Sequence, residues 1–274
     1  MLAAGLVNAL LGIIYALWFV IGVYVYVALS RQISARGLVT PVDGVPAKTF
    51  GFPEAIVAAV LISFFLLTLW ASISVSLPAA RIDARALVGN LLLAIVVILG
   101  LIGFLRFRGL DLDALAGLSK IGILRTLATG VLLLLAAHPL ITFADAISRR
   151  LIGDGAGPQT IVDAFNASGT LQQRILIIVL AVAVAPMAEE IVFRFFLYGV
   201  LRRYAGRLAG LLVTSLLFAA VHAHLPSFAP LFVLGCCFTL AYEWSGSILV
   251  SMTMHSFFNA ATLTFLAFPG RFPQ

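Results

Sequence analysis

The stretch "AVAVAPMAEEIVFRFFLYG", residues 181–199, places Glu189, Glu190 and Arg194 inside an otherwise uncharged apolar run. One charge near the middle of a bilayer costs about 2.5–3.5 kcal/mol on insertion scales. Two carboxylates and a cation at one spot therefore require either mutual pairing or a task. The surrounding chain makes a membrane the right frame: 62% of its 274 residues are hydrophobic and 10% charged, with a mean hydropathy of +1.14. A soluble domain carries about 25% charged residues.

A spanning helix needs about 20 apolar residues. Eight segments meet or approach that length: roughly 6–29, 54–77, 86–105, 122–143, 171–198, 207–223, 227–243 and 246–268. The expected fold is all-α, a polytopic membrane bundle of about eight transmembrane helices. Residues 1–274 form one integral membrane domain, with the motif-bearing part at 170–268. No hydrophilic stretch is long enough for a second domain, and no internal repeat is present. The start, "MLAAGLVNAL", lacks a basic n-region and leads into too long an apolar run for a signal peptide, so it reads as a first transmembrane helix. The longest connection, 144–170, contains "RRLIGDGAGPQT", a Gly/Pro-bearing turn expected at the interface.

The net charge of +6 resides mostly in short connections, the pattern of topology signals and contacts with membrane lipid rather than of nucleic-acid binding. With the N-terminus outside, the cytoplasmic loops hold Arg31, Arg36, Lys48, Arg106, Arg108, Lys120, Arg125, Arg202, Arg203 and Arg207. The outer ones hold Arg81, Arg85, Arg149, Arg150 and Arg271. Ten against five favours N-out, C-out. The expected location is a multi-pass integral protein of a prokaryotic cell membrane. Cys236 and Cys237, adjacent in an apolar helix, point about 100° apart, which suits neither a mutual disulfide nor a metal clip.

Three histidines accompany the charged group in the last four segments. "LLFAAVHAH" supplies His222 and His224, and "MTMHSFFNA" supplies His255 with Asn259 four residues on. Glu190 and Arg194 are i,i+4 and can pair, whereas Glu189 points about 100° away. Glu189 and His222 each lie about 16 residues from the middle of the Arg203–Arg207 turn. At a rise of about 1.5 Å per residue both are about 25 Å from it. The same counting from Gly246 sets His255 about 14 Å and Asn259 about 20 Å deep. Glu189, His222, His255 and Asn259 thus form a candidate site, with Glu190 and Arg194 in support. His138 is expected as an interhelical hydrogen-bond partner, His224 as interfacial, and Glu243 as a water-reached residue at a helix end.

At these residues the sequence resembles the CAAX protease and bacteriocin-processing (Abi) family of intramembrane glutamic endopeptidases, which includes the type 2 CAAX prenyl proteases. Its E-E-x-x-x-R motif is matched by Glu189, Glu190 and Arg194, its F-x-x-x-H by Phe218 and His222, and its H-x-x-x-N/D by His255 and Asn259. The resemblance covers roughly 175–265. It implies that Glu189 and His222 activate a water while His255 and Asn259 stabilise an oxyanion. It implies no cofactor, and a protein or peptide substrate, prenylated or not. One departure is Phe195, where many members have glycine after the arginine.

Three rivals stand beside this reading. A non-proteolytic immunity or scaffold protein of the same family would keep the motifs. A proton-coupled transporter would use Glu189 and the histidines as a relay, but the paired broken helices of transporters are absent. A zinc site of Glu189, His222 and His255 is disfavoured because H-E-x-x-H is missing and because His255 is set about 10 Å from the level of the other two. The site also lies nearer the face opposite the Arg-rich turn, whereas members that process prenylated proteins open to the cytoplasm. Either segment five is broken after Arg194 or the loop count inverts the topology, and the motifs outweigh the count.

Overall fold

The computed structural model describes residues 2–36, 49–74, 84–152, 165, 168 and 170–267. Most of "RRLIGDGAGPQT", together with Lys48, Arg81 and Arg271, lies outside them. Every regular element among the described residues is helical. We label them α1 (Leu2–Arg36), α2 (Phe52–Ser74), α3 (Ala84–Phe107), α4 (Leu112–Ala116), α5 (Ile123–Ile152), α6 (Leu171–Ala205), α7 (Arg207–Val221), α8 (Phe228–Ser245) and α9 (Ile248–Ala267). The protein is a polytopic membrane helix bundle. Among the described residues six helices are long and apolar enough to cross a membrane, and the apolar stretches Leu91–Phe107 of α3 and Arg207–Val221 of α7 are shorter. The expected eight segments each fall on a helix, and among the described residues six of them meet the length and hydropathy of a full span.

The connections follow local chemistry. Asp111 caps α4 by accepting from the Ala114 N–H at 3.1 Å, and Gly117 ends it in the left-handed region at φ 63°. Gly246 ends α8 in the same way, at φ 65°. The two glycines abut, and a Cβ on Gly117 would lie 1.8 Å from the Gly246 carbonyl oxygen. Glycine is therefore required there by contact as well as by conformation.

Among the described residues, three prolines sit past the first two positions of their helices, and each lacks the N–H that its helix needs. The register around Pro139 of α5 leaves the Leu135 carbonyl without a donor, and the Trp18 indole N–H of α1 donates to it at 3.0 Å. Pro230 of α8 offers nothing to the Pro226 carbonyl, which accepts from the Ser148 hydroxyl of α5 at 2.8 Å. In α6, the Ala185 N–H reaches back five residues to Leu180, and Pro186 comes next in that register. The freed Ala181 carbonyl accepts from the Asn259 amide of α9 at 2.8 Å. A carbonyl without a partner at membrane depth is costly, so each proline binds its helix to a neighbour.

One end of the bundle is strongly basic. Buried Glu243, 2% exposed, pairs with Arg202 at 3.2 Å and Arg207 at 3.0 Å and accepts from Tyr198 at 2.6 Å. Arg207 also donates to Ser30 at 3.1 Å and Ser34 at 2.6 Å on α1. The expectation that water reaches Glu243 is thereby corrected: arginines from two helices enclose it. At the same end Arg203 bonds Thr49, Arg108 pairs with buried Glu54 at 2.9 Å, and Arg36 donates to the Trp244 carbonyl at 2.6 Å. Arg31, Arg106, Lys120 and Arg125 complete this face, while Arg149, Arg150, Arg174 and, by its place at the start of α3, Arg85 mark the opposite one. His138 is also corrected. Its ring stacks on Trp18, with centroids 5.1 Å apart and planes at 4°, and so meets α1 by ring contact.

Candidate active site

Helix α6 runs unbroken from Leu171 to Ala205, with π-helical stretches at Leu180–Val184 and Glu190–Leu197. The break after Arg194 that would have reversed the site's direction is absent. A π-helix packs more residues into each turn and so rises less per residue. Glu189 is consequently nearer the Arg-rich turn than α-helical counting gives.

The candidate residues converge. Glu189 Oε2 is 4.0 Å from His222 Nε2 and 3.8 Å from His255 Nε2. The 10 Å level difference expected for His255 is therefore wrong: the π-helical rise shortens one side of the comparison, and side-chain reach closes the rest. Nδ1 of His222 lies 2.7 Å from the Phe218 carbonyl, an acceptor only, so Nδ1 carries a proton and the neutral ring presents a bare Nε2 to Glu189. Nδ1 of His255 lies 3.0 Å from Glu190 Oε1, with the same result. Glu189 Oε2 is buried, yet among the described residues it has no hydrogen-bond partner.

Behind this group stands a charged and aromatic support. Arg194 pairs with Glu190 at 3.0 Å, with both side chains at most 1% exposed. Its guanidinium lies over Phe218 at 4.1 Å, Phe238 at 5.1 Å and Phe193 at 6.0 Å, which partly replaces lost hydration by cation–π attraction. Gly235 leaves room for it, since a Cβ there would come within 3.3 Å of Arg194 Nη2. Phe218 also meets both imidazoles edge-on, His222 at 4.9 Å and His255 at 5.6 Å. Phe195 packs against Phe50 at 5.9 Å, and Phe50 in turn lies on Gly199, so the extra ring has its own niche.

Among the described residues Asn259 makes no hydrogen bond to the other candidates. One amide N–H is committed to Ala181, and the amide has a second to offer. His224 turns aside to Ser227, 2.7 Å from its hydroxyl. Among the described residues no trio of His, Cys, Asp or Glu has the geometry to hold a metal ion. Sequence reasoning missed the Glu190–His255 contact and the aromatic enclosure of Arg194. The only available signal was the density of phenylalanines at 193, 195, 196 and 218.

The fold and site together define a polytopic membrane protein with a carboxylate and two imidazoles converging within the bundle. Residues 171–261, about a third of the chain, match the model of the Rce1-like family, described as type II CAAX prenyl endopeptidase Rce1-like. This match supports the resemblance to the CAAX protease family that the motifs carry. No curated protein and no solved structure matches the chain.

Proposed function

We propose that the protein is an intramembrane endopeptidase that hydrolyses a peptide bond of a membrane-associated protein or peptide, using a water activated by Glu189 and His222. The observation that carries this is the buried Glu189 Oε2, unpartnered and facing two Nε2 atoms at 3.8 and 4.0 Å. Those separations are too long for direct hydrogen bonds and suit a bridging water. The family match supports peptidase chemistry.

In the proposed reaction the water gives a proton to Glu189, with His222 Nε2 as the second acceptor, and its oxygen attacks the scissile carbonyl carbon. The second N–H of Asn259 stabilises the oxyanion, and so does the Nε2–H of His255 once that ring has taken a proton from solvent, its Nδ1–H staying on Glu190. Each such donor is worth about 2.7–4 kcal/mol at an oxyanion. Collapse of the tetrahedral intermediate breaks the C–N bond, and the departing amine takes the proton from Glu189. Glu190 holds the His255 ring in register and, with Arg194, keeps its own charge paired. The test incubates purified protein with membrane-tethered peptides and identifies cuts by mass spectrometry, with Glu189→Gln as control. Cutting that persists in the Gln variant, or no cutting of any tethered peptide, goes against the proposal.

A further inference from the structure

Arg36, Lys120 and Arg125 come from three places in the chain: the end of α1, the connection after α4 and the first turn of α5. Together with Trp244 of α8 they line one open cavity of about 670 Å³. No carboxylate lines it, and among the described residues none of these three cations has an acidic partner within ion-pair reach. Arg202, Arg207 and Arg108 at the same end are instead neutralised by Glu243 and Glu54. The cavity's cations are also held in place. Arg36 donates to the Trp244 carbonyl at 2.6 Å, which leaves further guanidinium N–H groups to offer, and the Trp244 indole donates to Gln32 at 2.8 Å. Lys120 Nζ lies against Gly246, where a Cβ would collide with it.

Away from its charged rim the same cavity turns apolar. Arg125, Ala128, Thr129 and Leu132 follow one another at i, i+3, i+4 and i+7, and so share one face of α5. Those seven residues carry the lining about 10 Å deeper into the membrane-spanning part of the helix. At the far end Leu132 is 65% exposed, as a side chain that meets hydrocarbon can be. Basic residues that serve only as topology signals need charge, not a cavity that continues into an apolar groove. A small soluble anion would fill the charged rim alone. We infer that this cavity binds an anionic phospholipid, with its phosphate among Arg36, Lys120 and Arg125 and an acyl chain along Ala128 and Leu132. Basic pockets between membrane helices suit such head groups, and a tryptophan beside them suits the interfacial level. The lipid would join α1, α5 and α8, whereas the candidate active site lies on α6, α7 and α9, so the two readings stand or fall separately.

The test titrates the purified, delipidated full chain in detergent with phosphatidylglycerol, phosphatidylcholine or glycerol phosphate. Tm is read at each concentration, and native mass spectrometry counts the lipid retained. Phosphatidylglycerol alone should raise Tm, with one molecule held per chain. Lys120→Gln/Arg125→Gln should increase the phosphatidylglycerol needed for the same shift by about tenfold or more. Arg31→Gln/Arg106→Gln removes two cations of the same end that do not line the cavity, and should leave that concentration unchanged. An equal increase in both pairs, or an equal response to phosphatidylcholine, overturns the site. Glycerol phosphate that matches phosphatidylglycerol shows a soluble anion instead and overturns the lipid. Ala128→Phe keeps every charge and fills the apolar part of the cavity, so it should weaken phosphatidylglycerol binding too. It decides the question if the double glutamine variant does not accumulate, and an unchanged response in it goes against the lipid.

Discussion

Phe218 touches the Arg194 guanidinium and both imidazoles, which explains why an aromatic four residues before His222 belongs with the polar groups. Replacing it with leucine keeps the apolar volume but removes the ring face from a buried cation, so Phe218→Leu should lower both Tm and kcat. Glu189→Gln, by contrast, should abolish cleavage with an unchanged Tm, because among the described residues its Oε2 has no hydrogen-bond partner to lose. Glu190→Gln leaves Arg194 buried and unpaired, a change that typically costs about 3–5 kcal/mol. It also weakens the hold on His255, so both stability and turnover should fall. Retained stability and lost turnover in Glu190→Gln, with activity kept in Glu189→Gln, would exchange the two roles. The proximity of His255 to Glu189 removes the depth objection to zinc, although a tetrahedral zinc holds its ligands about 3.3–3.6 Å apart, closer than the 3.8 and 4.0 Å seen. Activity should survive chelation. One zinc per chain, with activity lost on stripping and restored by zinc, would overturn the glutamate–water mechanism.

At the scale of the helix, the proline–donor links make a sharp thermodynamic test. Trp18→Phe strands the Leu135 carbonyl and should destabilise by about 1–3 kcal/mol, read as a lower unfolding midpoint in detergent. Adding Pro139→Ala restores the helical N–H and should return much of that loss. Equal destabilisation with and without Pro139→Ala would refute the link. The helices themselves were legible from apolar run length, and the three motifs from the family resemblance, with helical spacing adding which of their residues share a face. What could not be read came from departures from that repeat. Counting at α-helical rise misplaced His255 because Glu190–Leu197 is π-helical, and nothing local distinguishes such a stretch in sequence. Glu243 looked solvated because its arginine partners come from another helix and another helix end. Asn259 looked like an oxyanion donor alone because its second duty depends on Pro186, remote in sequence.

For the whole molecule, the placement of the site within the bundle sets how substrate arrives. A peptide delivered in the plane of the bilayer gains effective concentration that a dissolved one lacks. Removing the tether from a cleaved peptide should therefore lower kcat/KM by about tenfold or more, chiefly through KM; equal rates for both forms would count against lateral delivery. The three proline-freed carbonyls also impose an order of assembly. Trp18 is synthesised before Leu135, and Ser148 before Pro226, so those acceptors find their donors waiting when they reach the bilayer. Ala181 must wait for Asn259, on the last helix described. The same helix brings His255. A ribosome-bound or prematurely ended chain therefore has an open helix ladder and an incomplete candidate site together, and under the proposed function no cleavage is expected before synthesis has passed α9.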